Sequence, residues 1–317
     1  MTGRGVEINI ETDSPLGVMF HRFCAAEETS SQGSLTSSKL EMFLDSLDDF
    51  HLLNPDEWIH KLMNGQLTAR HRCLTFDDAF KSQFQIALPV LESRGLKAFW
   101  FIPSQVVAES GKDSYQVFGF ALAQSSSPDS MMISFCEHAE ISLHEEFLNA
   151  IELKIPEFAT RYPVHSQIDC RYRLIRNSIS QELFDSISSK VLSEFGLSEA
   201  TLRTQIWMTT SQISELNDLG HEIGLHSHTH PLNIAAMSQA AQLREFQLNA
   251  EFIYGVTQSW PTTVAYPLGN YSQITMKVLQ SMGVVCGFRS DCTAIGRISP
   301  NLSPLEIGRI DISSICG

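Results

Sequence analysis

Short apolar runs alternate with amphipathic stretches along much of this chain. GVMFHRF (17–23), CLTFD (73–77) and LKAFWFIP (96–103) are short and rich in β-branched or aromatic residues, which is typical of buried strands. Residues 39–53 and 80–95 instead carry apolar residues at helical spacing. Strand, helix and strand in that order form a β-α-β unit, so the pattern predicts parallel strands joined by right-handed crossovers.

The same alternation resumes after residue 206. It includes strands beginning at His221 and Thr263, a long helix over 235–254, and a last strand in LEIGRIDI (305–312). We therefore predict an α/β fold with a barrel-like architecture.

The region between these two halves has a different pattern. Residues 104–205 contain amphipathic helices and little strand signal, which predicts a largely helical insertion. The predicted domains are a barrel core formed by residues 1–103 and 206–317, and an insertion that serves as a lid or as a specificity element.

Composition and charge narrow the classes of function. The chain has 317 residues, 43% of them hydrophobic, which suits one large globular domain or a core with an insertion. Its 22 basic and 36 acidic residues give a net charge of −14, which disfavours nucleic-acid binding. We expect no membrane span and no secretion signal. The seven scattered cysteines form no C-x-x-C pair, so we expect reduced thiols and a cytoplasmic location.

Two groups of residues have the chemistry of a metal site. Asp77 and Asp78 follow a predicted buried strand and can supply one metal ligand and one base. His226 and His230 are four residues apart and follow another apolar run, a spacing common in ligand pairs for zinc and similar ions. One carboxylate and two imidazoles leave coordination positions open, as a catalytic metal requires.

Three motifs resemble those of a known family. TFDDAF (75–80), LHSHTH (225–230) and AYPLGNY (265–271) occur in the same order as the first three motifs of the polysaccharide deacetylase family, also called the NodB-homology family or carbohydrate esterase family 4. That family folds as a distorted (β/α)7 barrel and removes acetyl groups from sugars with a bound divalent metal. The resemblance covers residues 14–103 and 206–312.

The resemblance implies roles for the four residues singled out above. Asp77 becomes the catalytic base, and Asp78, His226 and His230 become the metal ligands. The ligand types favour zinc, with cobalt, nickel and manganese as alternatives.

The third motif implies further contacts with the substrate. Its loop is expected to supply a backbone N–H at Leu268 to the developing oxyanion, with Tyr266 and Pro267 beside it. The family motif often begins with an arginine that orients the base, and here Ala265 stands at that place. Arg309 in the last predicted strand is expected to replace that arginine.

Two other departures from the family pattern affect the site. The first motif usually ends in glycine, but here it ends in Ala79, which would cost about 1 kcal/mol if the residue has positive φ. The histidine that usually supplies the catalytic acid near the C-terminus is absent. Relatives with a permuted motif order place a histidine after the first strand, so His21 is the predicted acid.

Two classes of function follow. The first is a metal-dependent hydrolase that removes an acetyl or formyl group from a soluble amino sugar or a nucleotide-linked sugar precursor of a surface polysaccharide. The second is a non-catalytic carbohydrate-binding protein on the same scaffold, which the departures at Ala79 and Ala265 and the missing histidine would support.

The predicted insertion contains a cluster of arginines that could bind an anionic group of the substrate. It is formed by Arg161, Arg171, Arg173 and Arg176. Such a cluster is either a solvated surface or a clamp for the anionic group of a phosphorylated or nucleotide-linked substrate.

Overall fold

Parallel strands form the centre of the molecule. The computed structural model describes residues 13–25, 33–108, 113–142, 145–161, 166–290 and 303–312. The strands in these ranges are β1 (Leu16–Phe20), β2 (His51–Leu52), β3 (His71–Asp77), β4 (Phe99–Ile102), β5 (Glu222–Leu225), β6 (Thr263–Ala265), β7 (Cys286–Phe288) and β8 (Arg309–Asp311). They pair in the order β7-β6-β5-β4-β3-β1-β8, and β2 pairs with the start of β3.

The sheet curves into a nearly closed barrel. All strand pairs of the described residues are parallel. The two ends of the sheet meet where Phe288 of β7 bridges Ile307, just before β8. The prediction of a distorted (β/α)7 barrel is confirmed, with β1 and β3–β8 as its seven strands.

Helices surround the barrel and fill the range between β4 and β5. They are α1 (Ser37–Asp45), α2 (Pro55–Met63), α3 (Leu88–Ser93), α4 (Ser104–Val107), α5 (Ser114–Gln124), α6 (Pro128–Ser142), α7 (Glu145–Glu152), α8 (Ile155–Arg161), α9 (Gln167–Arg176), α10 (Gln181–Glu194), α11 (Glu199–Ile206), α12 (Thr210–Asp218), α13 (Gln239–Thr257) and α14 (Gln273–Ser281). None of the helices in the described ranges has both the length and the apolar character that crossing a membrane requires.

Strand side chains alternate between two hydrophobic layers. In β4, Phe99 and Phe101 point into the barrel, where they contact Phe288. Trp100 and Ile102 belong instead to the larger cluster between the sheet and the surrounding helices. This period of two is what a strand buried on both faces requires, and it explains the continuous apolar run in the sequence.

The segment from α4 to α11 has a hydrophobic cluster of its own. Its buried residues include Phe118, Phe135, Tyr172 and Phe184, whose rings contact one another. Phe80, the last residue of TFDDAF, also belongs to this cluster and joins the segment to the barrel. The helical character predicted for this region is observed, and the domain boundaries stay a prediction.

One predicted helix is too long. The apolar spacing over 39–53 predicted a single helix, but α1 ends at Asp45 and His51–Leu52 form strand β2. The backbone N–H of His51 donates to the Arg70 carbonyl (2.9 Å), and that of Leu53 donates to the Arg72 carbonyl (2.8 Å). Pairing with β3 therefore outweighs the local helical pattern.

Candidate active site

The predicted site residues converge on the carboxyl end of the barrel. His21 follows β1, Asp77 ends β3, Asp78 comes next and His226 follows β5. Arg309 instead begins β8, and its side chain reaches Asp77 from lower in the barrel. The carboxyl ends of parallel strands meet at one rim, so residues far apart in sequence are neighbours here.

A buried ion pair joins Asp77 to Arg309. Nη1 of Arg309 donates to Oδ1 of Asp77 (2.7 Å) and Nη2 donates to Oδ2 (2.8 Å), a bidentate arrangement. Burial opposes ionisation of Asp77, but Arg309, assisted by His226 and His21, outweighs burial and lowers the pKa of this carboxyl. Asp77 is therefore a carboxylate at neutral pH and can accept a proton.

The guanidinium of Arg309 fits because the neighbouring strand leaves room for it. Arg309 is 1% exposed, and its Nη1 also donates to Thr75 Oγ1 (3.2 Å). A Cβ on Gly17 of β1 would lie 2.9 Å from Cγ of Arg309. Glycine at this position is thus required by close approach rather than by backbone conformation.

Asp78, His226 and His230 form a cluster that fits a divalent metal. Nε2 of His226 and Nε2 of His230 lie 3.4 and 3.5 Å from Oδ1 of Asp78, and the three ligand atoms all lie within 4.8 Å of one another. Tetrahedral ligands at about 2.0–2.1 Å from a zinc ion are about 3.3 Å apart. The donor atoms and their spacing therefore suit zinc or a similar ion.

Hydrogen bonding, burial and nearby carboxylates set the protonation states of His226 and His230. Nδ1 of His226 lies 2.8 Å from the Ala265 carbonyl oxygen, which assigns the proton to Nδ1 and leaves Nε2 to face the cluster. Burial would lower the pKa of His226, but Asp77 and Asp78 outweigh burial and raise it. Burial lowers the pKa of His230 to about 4, so its imidazole is neutral. At neutral pH a cation at the cluster therefore competes with a proton at His226 but not at His230.

The loops that carry these residues contain most of the unusual backbone. Six non-glycine residues of the described ranges have positive φ, and only Gln258 is remote from the site. The other five are Asp78, Ala79, Ser227, His230 and Leu268. Ala79 has φ 56°, so the expected cost of about 1 kcal/mol applies. Such strain persists only where surrounding contacts enforce it.

Helix α13 enforces the conformation of the histidine loop. Oε2 of Glu245 accepts from the backbone N–H groups of His228 (3.1 Å) and Thr229 (2.8 Å). One turn later, Oδ1 of Asn249 accepts from the N–H of His226 (2.8 Å). Sequence reasoning missed both supporting residues. The available signal was two polar residues four apart on the apolar face of a predicted helix.

His21 lies beside Asp77. Its Nε2 is 4.0 Å from Oδ2 of Asp77, and its side chain is 31% exposed. Gln83 fixes the backbone around both residues, since its Nε2 donates to the carbonyl oxygens of His21 (2.7 Å) and Asp77 (2.6 Å). His21 is thus held near Asp77 and remains accessible to a ligand.

The residues of the third-motif loop differ from one another in exposure. The hydroxyl of Tyr266 donates to the buried Leu305 carbonyl (2.9 Å), and its ring stacks on Tyr271. Pro267 is buried, whereas Leu268 is 61% exposed and lines the same cavity as the metal-ligand cluster. The predicted oxyanion role of this loop stays a prediction.

A cavity of about 760 Å³ covers the cluster. The barrel rim forms one wall, and the α4–α11 segment forms the other. Of the arginine cluster, Arg173 and Arg176 line this cavity, whereas Arg171 faces outward and pairs with Glu152 (Nη2–Oε2, 3.0 Å). The side chain of Arg161 lies outside the described residues.

Comparisons with known proteins agree with this geometry. Residues 188–287 match the family model of polysaccharide deacetylases, a range that contains the second and third motifs. The resemblance inferred from the motifs is confirmed by this match. A search of curated proteins found no match.

Solved structures share the fold. IcaB from Ammonifex degensii aligns with a TM-score of 0.56 at 14% identity, over 96% of this chain and 98% of that one. The deacetylase PplD of Streptococcus pyogenes, in complex with acetate, aligns with a TM-score of 0.53 at 16% identity, over 94% of this chain and 92% of that one. The BpsB deacetylase domain from Bordetella bronchiseptica aligns with a TM-score of 0.51 at 14% identity, over 98% of this chain and 99% of that one. Likeness at this level of identity shows the fold alone.

Replacing Glu245 with glutamine tests the support of the histidine loop. We expect Glu245→Gln to weaken metal affinity about tenfold, because a neutral amide oxygen holds the two loop N–H groups less firmly than a carboxylate does. The measurement is competition with a chromophoric chelator. Glu251→Gln on the exposed side of α13 is the control and should leave affinity unchanged. Equal affinities in the two variants would contradict this role.

Proposed function

We propose that this chain is a metal-dependent hydrolase that removes an N-acetyl group, or another small acyl group such as formyl, from an amino sugar. The expected substrate is an amino sugar or a nucleotide-linked sugar precursor in the biosynthesis of a surface polysaccharide. The observation that carries the proposal is the placement of an ionised, buried Asp77 directly beside three metal-ligand side chains, within a cavity of about 760 Å³. The cytoplasmic location expected from the sequence stays a prediction.

The reaction needs an activated water because an amide carbonyl resists neutral water. Asp78, His226 and His230 would hold a divalent ion, with zinc as first choice and cobalt, nickel or manganese as alternatives. Such an ion would supply polarisation of the acyl carbonyl and a lower pKa for the attacking water. Asp77 takes the proton of the attacking water as general base. Arg309 keeps that carboxylate ionised and fixes its orientation.

Two further groups complete the proposed reaction. The backbone N–H of Leu268 donates to the developing oxyanion. His21 protonates the leaving amine, and the distance of 4.0 Å between its Nε2 and Oδ2 of Asp77, in the same cavity, supports this role.

The carbohydrate-binding alternative uses the same cavity without turnover. It is supported by the positive φ of Ala79 and by Ala265, which stands where the family usually has an arginine. Against it, Arg309 contacts the base from the opposite side of β1, so the base keeps a cationic partner. Hydrolysis is therefore the better supported function.

Replacing Asp77 with asparagine separates the two functions. We expect Asp77→Asn to lower kcat at least about 100-fold, because an amide cannot accept the proton of water. Binding of the acylated sugar, followed by calorimetry, should be retained. A variant as active as the wild type would remove Asp77 from the base role. Tight binding by a wild type that releases no acyl group would favour the binding protein. Since asparagine leaves Arg309 without a charged partner, thermal unfolding is measured alongside.

Replacing His21 tests the proposed acid. His21→Ala should lower kcat by about 100-fold while metal content stays the same, because the imidazole is not among the three clustered ligands. His60→Ala, an exposed change on α2, is the control. Metal loss in His21→Ala would assign the residue to the metal site instead.

A further inference from the structure

Three arginines surround the end of the cavity that the α4–α11 segment covers. Arg22 comes from the barrel side, after β1, while Arg173 and Arg176 come from α9. Residues three apart on a helix share a face, so Arg173 and Arg176 point the same way. None of the three has a part in the reaction proposed above.

Arg176 is buried without a full set of acceptors. It is 8% exposed, and its Nε and Nη1 have no hydrogen-bond partner among the described residues. Its guanidinium lies 5.3 Å from the ring centre of Tyr115 and 5.9 Å from that of Phe184, so aromatic faces hold it in place. Buried donors without acceptors are unfavourable, and because Arg176 also lines the cavity, an anion bound there would offset its buried charge.

Three guanidinium groups and two carboxylates line this end of the cavity. Arg22 bonds to the Gln116 side chain and lies 4.4 Å from the centre of the Phe80 ring. Burial lowers the pKa of Arg22, and the like charge of Arg173 lowers it further. Two acids of the α4–α11 segment line the cavity beside them. Asp113 accepts from the N–H of Gln116 (3.0 Å), and burial raises its pKa to about 6. Asp185 accepts from the side-chain amide of Gln181 (2.6 Å).

We propose that Arg176, together with Arg22 and Arg173, forms an anion subsite for a phosphate group on the substrate. A guanidinium presents paired N–H donors that match two oxygens of a phosphate. The inference rests on the proposed function and narrows its substrate class to sugar phosphates or nucleotide diphosphate sugars. The acyl group then lies at the metal-ligand cluster while the phosphate lies under α9.

The test compares binding of a phosphorylated and a neutral sugar by calorimetry. N-acetylglucosamine 1-phosphate and N-acetylglucosamine are titrated into the full chain and into Arg176→Gln. We expect the wild type to prefer the phosphate ester at least about tenfold and Arg176→Gln to lose most of that preference. Arg171→Gln is the matched control, because it lies on the same helix but outside the cavity, and it should keep the preference.

Each outcome decides the proposal. Circular dichroism checks folding, and Arg173→Gln carries the test if Arg176→Gln does not fold. A wild type without preference, or a preference that survives both variants, would overturn the anion subsite. A preference lost only in His226→Ala would place the phosphate on the metal-ligand cluster and would also overturn it. If the protein releases acyl groups from neutral sugars and shows no preference for phosphate, only the anion subsite is wrong. If it binds phosphate through Arg176 but releases no acyl group, the proposed hydrolase function is wrong.

Discussion

The buried ion pair between Asp77 and Arg309 is the interaction on which the rim of the barrel depends. It joins β3 to β8 across β1, and the space for the arginine exists because β1 carries Gly17. A buried charge without its partner costs about 3–5 kcal/mol, so the two strands cannot separate without a large penalty. The same contact keeps Asp77 ionised. Barrel closure and the ionised state of Asp77 therefore have one physical cause.

The loops that carry the other site residues have a strained backbone, which contacts with neighbouring elements stabilise. The loops after β3, β5 and β6 contain left-handed residues that do not favour this conformation, among them Ala79 and His230. Glu245 and Asn249 of α13 accept from the backbone of the histidine loop and fix it. The α4–α11 segment adds the opposite wall of the cavity. The barrel thus carries the candidate site residues, and the helical segment lines the cavity opposite them.

Sequence reasoning identified the parts whose signal is local. The alternation of strands and helices predicted the barrel. The paired aspartates and spaced histidines predicted that Asp78, His226 and His230 lie together, because the strand ends of a parallel fold meet at one rim. It missed β2, whose pairing with β3 is a tertiary contact that no local pattern contains. It also could not separate Arg176 from Arg171, since the side of α9 that faces the cavity depends on how that helix packs.

The central claim is that Asp78, His226 and His230 bind a catalytic divalent metal. Its most direct test is metal content by mass spectrometry, on protein purified without chelators or added metal, beside His226→Ala. The account predicts about one equivalent of divalent ion in the wild type and its loss in the variant, because the variant removes one of three ligands. Absence of metal from both proteins, even after reconstitution, would contradict the account and favour a carbohydrate-binding protein.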